Sequence, residues 1–309
     1  MLSLIIPIYR NEANLDALLP EIVKLNDRFG GDFEAVFVVD GSPDRCHEIL
    51  SERLRQTALR SQLLLLSRNF GSFAAVTAGL EAARGDYFAV IAADLQEPPE
   101  LVTEFLEILA DDRADVVFGT RQSRSDPFLS ELASNAFWSI YRRLVIKDMP
   151  RGGVDIFACN RTVRERLLQF RENNTNLIAL LFWMGFRRSY VPYERKARLA
   201  GKSAWTFKKK LRYCVNSIFN FTDLPVQVLL YTGSVALVLA CVGAILVIIG
   251  KLTGHIGVHG YAAIIVAIFF FGALTSLGLG IVGQYLWLTL QNTRARPNYI
   301  VHRKQDYDC

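Results

Sequence analysis

The first 120 residues lack the glycine-rich motifs by which many proteins hold nucleotides. Neither a GxGxxG dinucleotide fingerprint nor a GxxxxGK[ST] phosphate loop occurs there, so the dinucleotide-dependent and ATPase classes have no motif to support them. Cysteine is also scarce, because five scattered residues offer neither a disulfide framework nor a zinc site. Met1-Leu2-Ser3 leads straight into a β-rich run with no cationic segment, and we therefore expect no signal peptide.

Two long stretches near the C-terminus contain no charged residue. They run from Val226 to Ile249 and from Tyr261 to Leu290, and each is long enough to cross about 30 Å of hydrocarbon as a helix. The chain as a whole is 51% hydrophobic, which is too apolar for an ordinary soluble protein of 309 residues. We therefore predict two transmembrane helices over 226–290, joined by a short external loop, rather than two buried core helices.

Basic residues flank these stretches unevenly. They precede the first stretch and follow the second, whereas the loop between them holds only Lys251 and two histidines. The positive-inside rule therefore places both termini in the cytoplasm, including a tail at 291–309. An amphipathic, basic segment at 205–225 predicts interfacial helices on the anionic inner leaflet, with a linker helix packed on the preceding domain as the alternative.

The N-terminal part alternates β-rich runs with helical stretches. We predict strands at Leu2–Ile8, Glu34–Val39, Gln62–Leu66, Tyr87–Ala92 and Asp115–Gly119. Such alternation is typical of an α/β domain with a doubly wound, mainly parallel sheet, which we expect over residues 1–204.

Two of the predicted strands are followed by acidic residues. Asp40 closes the second strand, and Asp94 and Gln96 follow the fourth, which we expect to lie next to the second. Ligands of open α/β sheets bind at the carboxyl ends of strands, and oxygen ligands suit Mg²⁺ or Mn²⁺. The two carboxylates, Asp40 and Asp94, would suit a nucleoside diphosphate: Asp40 would contact the nucleoside, and Asp94 would bind the diphosphate through a metal ion. The alternative is that both residues only cap turns or helices.

An ordered set of short motifs covers nearly the whole chain. These are Ile6-Pro7-Ile8-Tyr9-Arg10-Asn11-Glu12, Asp40-Gly41-Ser42, Arg68-Asn69-Phe70-Gly71, Asp94-Leu95-Gln96-Glu97-Pro98-Pro99, Arg198-Leu199-Ala200-Gly201-Lys202-Ser203 and Arg296-Pro297-Asn298-Tyr299. Together with the two apolar stretches, they resemble the GT-A glycosyltransferases of family 2. The resemblance is to the polyprenyl-phosphate glycosyltransferases, which are similar to dolichol-phosphate-mannose synthase, and especially to the bacterial undecaprenyl-phosphate glucosyltransferases.

The resemblance implies a GT-A (Rossmann-like) catalytic domain followed by two transmembrane helices in the bacterial inner membrane. It implies a metal-dependent hexosyltransferase that uses Mg²⁺ or Mn²⁺. The sugar would pass with inversion from a nucleotide sugar, of the UDP-glucose type, to polyprenyl (undecaprenyl) phosphate on the cytoplasmic face, for modification of cell-envelope glycans. We expect a homo-oligomer at the membrane and no nucleic-acid partner.

The resemblance also assigns roles to individual residues. At the reacting centre it implies Asp94, Asp155 and Arg198. For the nucleotide sugar it implies Pro7, Tyr9, Glu12, Asp40, Arg68, Ala93, Asp94, Gln96 and Ser203. For the acceptor phosphate it implies Arg121, Arg124 and Ser134. For the metal it implies Asp94 and Gln96.

Four positions depart from the family pattern. Ala92 replaces the first acid of Asp-x-Asp, Val39 an aspartate, Phe157 an arginine, and Ala204 a lysine. Ala92 and Phe157 favour a second hypothesis, a non-catalytic membrane scaffold homologous to part of a glycosyltransferase or flippase system. A processive or protein-directed glycosyltransferase is a third hypothesis, although the Gln-x-x-Arg-Trp motif is absent.

Overall fold

The protein is represented by a computed structural model that describes residues 1–121, 139, 142–143, 146–150, 154, 156–170, 172, 176–196, 215–253 and 260–307. The chain forms two compact units. The first comprises Met1–Arg212 together with Arg296–Cys309, and the second comprises Tyr213–Ala295. Residues 296–309, which the sequence analysis treated as part of a tail, therefore belong with the N-terminal unit.

Eight strands among the described residues form a single sheet in the first unit. They are β1 (Leu2–Ile8), β2 (Phe33–Val39), β3 (Ser61–Leu66), β4 (Tyr87–Val90), β5 (Val116–Arg121), β6 (Phe157–Asn160), β7 (Arg188–Tyr193) and β8 (Val301–Tyr307). Their order across the sheet is β7-β5-β6-β4-β1-β2-β3-β8. All five predicted strands are present, and the α/β class is confirmed.

The sheet is mixed, with a parallel core. Strands β4, β1, β2 and β3 are parallel neighbours, whereas β6 and β8 run antiparallel to the strands that flank them. The prediction that the fourth strand lies beside the second was wrong, because β1 pairs with both β2 and β4. The chain builds β1, β2 and β3 in one direction and then returns across β1 to place β4. This reversal is a topological switch point, where ligands of such sheets bind.

Helices cover both faces of this sheet. The described helices of the first unit are α1 (Leu15–Arg28), α2 (Cys46–Leu54), α3 (Ser72–Ala82), α4 (Leu101–Ala110), α5 (Arg161–Leu167) and α6 (Leu177–Trp183). Helices α1, α2 and α4 share one hydrophobic core with alternate residues of the strands, such as Leu4, Ile6 and Phe37. Helix α3 packs on the opposite face, where Gly79 lies against Ile5. Because both faces are covered, β2 is buried along its full length, as parallel strands usually are.

The second unit contains two long helices, α7 (Leu224–Leu252) and α8 (Tyr261–Thr293). Within the described residues, one stretch is long and apolar enough to cross a membrane: Phe270–Thr293 of α8, with a mean hydropathy of 1.3 and no buried part. Helix α7 contributes a shorter apolar stretch, Leu224–Ala236. The second predicted span therefore remains a prediction. Of the predicted interfacial segment, residues 215–221 are helical, and 205–214 lie outside the described residues.

The sequence analysis did not predict β8. This strand pairs antiparallel with β3, from Ser61 opposite Tyr307 to Leu66 opposite Val301. Its side chains add an ion pair between Asp306 and Arg84. The chain therefore leaves the first unit after Arg212 and returns to its sheet beyond Arg296.

Candidate active site

The predicted donor residues that the structure describes gather at one edge of the sheet, around the switch point between β1 and β4. Pro7 lies near the end of β1, opposite Val38 of β2. Tyr9 and Glu12 follow β1, Asp40 follows β2, and Arg68 follows β3. Because these strands are parallel, their carboxyl ends meet at the same edge.

Asp40 is buried, and its carboxylate organises a neighbouring loop. Its Oδ1 accepts a hydrogen bond of 2.7 Å from the backbone N–H of Phe70, and its Oδ2 accepts one of 2.9 Å from Gly71. Burial raises the pKa of Asp40, and these two hydrogen bonds oppose the rise. Asp40 thus fixes the loop that carries Arg68. Its predicted contact with a nucleoside remains a prediction.

Gly41 allows two loops to approach each other closely. Its φ is +52°, and a Cβ atom on it would lie 2.2 Å from the carbonyl carbon of Arg68. No side chain fits there, which explains on steric grounds why a glycine stands between Asp40 and Ser42. Arg68 is exposed, and its guanidinium stacks 4.0 Å above the ring of Phe70, at the side of the site.

The loops after β1 and β2 are joined in the same way, through carboxylates. The Oε2 of Glu12 accepts a hydrogen bond of 2.9 Å from the N–H of Arg45, at the start of α2. In return, Asp44 accepts one of 3.2 Å from the N–H of Glu12. Ser42 accepts a hydrogen bond of 2.8 Å from the N–H of Arg10, whose φ is +54°. We call residues 9–12, 40–45 and 68–71 the hydrogen-bonded loops.

Asp94 lies four residues beyond β4, in a tight turn, and is partly exposed. Its Oδ1 accepts a hydrogen bond of 3.4 Å from the N–H of Gln96, and the intervening Leu95 has a φ of +51°. Left-handed backbone at a non-glycine residue is costly and is typical of functional sites. Ala93, by contrast, is buried in the hydrophobic core, and its predicted contact with the donor remains a prediction.

Gln96 is buried and tied to the segment after β7. Its Oε1 accepts a hydrogen bond of 2.6 Å from Nη2 of Arg195, and its Nε2 donates one of 3.3 Å to the carbonyl of Lys196. The backbone N–H of Lys196 also donates to the carbonyl of Gln96, at 2.9 Å. A metal ion bound to Oε1 of Gln96 would lie next to the guanidinium of Arg195, and the two positive charges would repel each other. Asp94 is therefore the better placed of the two predicted metal ligands.

Glu97 carries a carboxylate that is almost fully buried. Its side chain is 2% exposed, and its Oε1 lies 3.8 Å from Nε of Arg195. Its Oε2 is buried with no hydrogen-bond partner among the described residues. Burial and the nearby charge of Asp94 raise the pKa of Glu97, whereas Arg195 and Arg121 lower it. Glu97 is therefore within the electrostatic influence of both the predicted metal ligand and two arginines.

Arg121 ends β5, directly opposite Tyr193 at the end of β7. Tyr193 is buried, and burial together with the charge of Glu97 raises its pKa, while Arg121 and Arg195 oppose the rise. Arg121 and Arg195 are therefore both close enough to Glu97 and Tyr193 for their charges to act on them. We call Glu97, Arg121, Tyr193 and Arg195 the charged cluster.

Sequence reasoning identified Arg121 but missed Glu97, Tyr193 and Arg195. The motif after Asp94 could have drawn attention to Glu97, because a charged residue so close to a buried strand needs a partner. Five other predicted site residues lie outside the described residues: Arg124, Ser134, Asp155, Arg198 and Ser203. Phe157, which replaces an arginine of the family pattern, is a buried residue of β6.

The described residues contain no group of three or more His, Cys, Asp or Glu side chains that could hold a metal ion. Asp94 is a partly exposed carboxylate at the strand edge, which fits a hard cation that takes its other ligands from a diphosphate. The residues present thus fit a divalent ion bound jointly with its substrate.

Comparison with known families and curated proteins found clear similarities. The family model described as "Glycosyl transferase family 2" matches residues 3–193. The undecaprenyl-phosphate 4-deoxy-4-formamido-L-arabinose transferase of Edwardsiella ictaluri is 30% identical over 97% of this chain and 92% of its own length. A prophage bactoprenol glucosyl transferase homologue of Escherichia coli is 27% identical over 98% of each chain.

Among solved structures, glucosyl-3-phosphoglycerate synthase from Mycobacterium tuberculosis, in complex with phosphoglyceric acid, is similar with a TM-score of 0.51. It is 16% identical, and the match covers 71% of this chain and 79% of that chain. At this identity the likeness concerns the fold alone, and it supports the GT-A assignment.

Proposed function

Because this chain belongs to glycosyl transferase family 2, we propose that it transfers a hexose-type sugar from a nucleotide sugar to polyprenyl phosphate. The observation that carries the proposal is the extent of the likeness. Relatives named for undecaprenyl phosphate and bactoprenol align with 97% and 98% of the chain, the apolar helices included. A lipid acceptor explains why a sugar-transfer domain is joined to such helices.

The hydrogen-bonded loops would bind the nucleoside of the donor, which we propose to be of the UDP-glucose type. Loops held by several backbone hydrogen bonds make a preformed surface, and binding to such a surface costs little ordering entropy. Pro7, Tyr9 and the exposed Arg68 border this surface. Ser203 and Arg198 would close over the diphosphate, in keeping with the Arg-x-x-Gly-x-Ser pattern.

In the proposed reaction, an oxygen of the acceptor phosphate attacks the anomeric carbon of the sugar. The bond from that carbon to the diphosphate oxygen breaks, the nucleoside diphosphate leaves with the bonding electrons, and the configuration inverts. The acceptor is already anionic near neutral pH, so the reaction needs no strong general base, and Asp155 would lie beside the reacting centre. Arg121, with Arg124 and Ser134, would hold the acceptor phosphate, because arginine donates forked hydrogen bonds to phosphate oxygens.

A divalent ion, Mg²⁺ or Mn²⁺, held by Asp94 and the diphosphate would neutralise charge on the leaving group. Asp94 is the residue on which this part of the proposal depends. Ala92 cannot replace it, since the family's other acidic position has no carboxylate here.

We also propose that α7 and α8 both span the membrane, with the first unit in the bacterial cytoplasm. Strand β8 supports this topology, because it follows α8 and pairs with a strand that precedes α7. Both ends of the second unit must then lie on one side of the membrane, which requires an even number of crossings. Since α8 is long and apolar enough to cross once, α7 would supply the return.

The function can be tested with membranes that contain the full chain, undecaprenyl phosphate and a panel of labelled UDP-sugars. We expect sugar to enter the lipid fraction, EDTA to prevent it and Mn²⁺ to restore it. Asp94→Asn should lower transfer by at least about 100-fold, since metal stabilisation of a leaving group is worth several kcal/mol. Asp27→Asn, an exposed carboxylate on α1, is the matched control.

If Asp94→Asn transferred sugar at the wild-type rate with the same metal dependence, the strand-edge metal site would be wrong. If no donor sugar labelled the lipid fraction, that result would support the hypothesis of a non-catalytic scaffold, which Ala92 and Phe157 favour.

The membrane topology has its own test. A thiol introduced by His255→Cys should react with an impermeant reagent in intact cells, whereas Cys309 should not.

A further inference from the structure

Glu97 is an unusual residue for a sheet edge that is proposed to bind two anionic substrates. Its side chain is 2% exposed, and one of its carboxylate oxygens has no hydrogen-bond partner among the described residues. A buried carboxylate is strongly unfavourable unless cations or hydrogen bonds compensate it. Its position three residues after Asp94, the proposed metal ligand, therefore calls for a function.

Two arginines provide the compensation, and they come from distant parts of the chain. Arg195 lies 3.8 Å from the Glu97 carboxylate and also donates to Gln96. Arg121 reaches the same cluster from the end of β5, where it faces Tyr193 across the β5–β7 pair. Because β5 and β7 are parallel, both arginines occur at the same edge of the sheet.

The charges of this cluster sum to one positive charge: two guanidiniums and one carboxylate. Without the carboxylate, the two guanidiniums would repel each other. Each guanidinium has five N–H donors in a fixed plane, so an arginine that contacts Glu97 still has donors for a second anion. A buried carboxylate 3.8 Å from Arg195 and within the electrostatic range of Arg121 offsets the repulsion between the two guanidiniums.

We propose that Glu97 is a positioning residue for the acceptor: it holds Arg121 and Arg195 together so that both donate to the phosphate of the lipid. This inference rests on the proposed function, in which Arg121 binds that phosphate. It adds Arg195 to the acceptor site and gives the acidic residue after Asp94-Leu95-Gln96 a role distinct from metal binding.

The test compares two lipids that differ only in the phosphate group, undecaprenyl phosphate and undecaprenol. Their binding to the full-length chain in detergent is measured by native mass spectrometry. Glu97→Gln should reduce the preference for the phosphate by about tenfold, the effect of weakening one charge-assisted contact. Glu97→Asp should restore part of it, because the charge is retained. Glu194→Gln, an exposed glutamate beside Arg195, should leave the preference unchanged.

A merely structural role would lower the affinity for both lipids equally, and that result would overturn the inference. Should Glu97→Gln fail to fold, Arg195→Gln carries the test, since its side chain is 30% exposed and the same selective loss is expected. In an Arg121→Ala background, Glu97→Gln should have a smaller effect than in the wild type, because Arg195 is then the only arginine of the cluster left to position.

The two proposals fail in different ways. If Arg121→Ala left the phosphate preference intact, the acceptor site of the proposed function would be wrong, and the inference would fall with it. If Arg121→Ala abolished the preference while Glu97→Gln did not change it, only the inference would fail.

Discussion

The two sides of the candidate site are held together by different forces. In the hydrogen-bonded loops, the carboxylates of Glu12, Asp40 and Asp44 accept hydrogen bonds from backbone N–H groups. In the charged cluster, the carboxylate of Glu97 is compensated by the side chains of arginines. Backbone donors are neutral and fixed by the path of the chain, whereas guanidiniums are charged and sit on long, flexible side chains.

Because of this difference, the two sides of the site should respond differently to substitutions and to pH. The hydrogen-bonded loops depend on the shape of the backbone, so steric substitutions should damage them most. The charged cluster depends on interactions between charged side chains, so removal of a charge, or a change of pH, should disrupt it most. Three substitutions can break or sharpen the comparison, in order of expected effect.

The largest effect is expected for Gly41→Ala. Its Cβ would lie 2.2 Å from a backbone atom of Arg68, and its φ of +52° is itself unfavourable for alanine. We expect a loss of about 3 kcal/mol in stability, from left-handed strain together with overpacking. Gly185→Ala is the matched control, since its φ is +72° but no atom lies within 4 Å of the added Cβ. It should cost only about 1 kcal/mol. Equal drops in thermal midpoint would contradict the steric account.

A smaller loss is expected for Asp40→Asn. The amide can accept only one of the two backbone hydrogen bonds and presents an NH₂ group to the other donor. We expect a loss of about 2 kcal/mol and weaker nucleotide binding, because the loop of Arg68 is no longer held. Thermal unfolding and nucleotide titration would check both effects. The exposed Asp27→Asn should stay within about 0.5 kcal/mol of wild type.

The smallest effect is expected for Asp115→Asn, which tests how charge aligns β5 with β7. Asp115 accepts hydrogen bonds from the backbone N–H and the guanidinium of Arg187, and Arg187 lowers its pKa below the usual 3.8. Since Arg187 is half exposed, we expect a loss of only about 1 kcal/mol at neutral pH.

The pH dependence of this loss has a definite sign. With the folded-state pKa below 3.8, the unfolded chain takes up its proton first as the pH falls. The stabilisation by Asp115 is therefore present above that pH and is lost on further acidification, so wild type and Asp115→Asn should converge in acid. Asp111→Asn, an exposed neighbour, is the control. A gap that stayed constant from neutral to acid pH would argue against the ion pair.

Much of the fold could be predicted from local patterns. Strands β1 to β5 are continuous apolar runs with helical stretches between them, so their existence follows from periodicity. The side chains after β2 and β4 are also local, because Asp40 and Asp94 directly follow buried runs. Strand β8 could not be predicted in this way, since Val301–Tyr307 is mostly exposed and mostly polar, and only its pairing with β3 makes it a strand.

The sequence by itself determined the class of the sheet, the acidic residues at its edge and the apolar stretches, since each depends on the order of neighbouring residues. Tertiary structure alone decided which strands adjoin, and it placed β1 between β2 and β4. It also brought Glu97, Arg121 and Arg195 together from three separate segments. The reason is physical. A buried charge is tolerated only where opposite charges lie close to it, and this proximity depends on how distant strands pack rather than on any local sequence pattern.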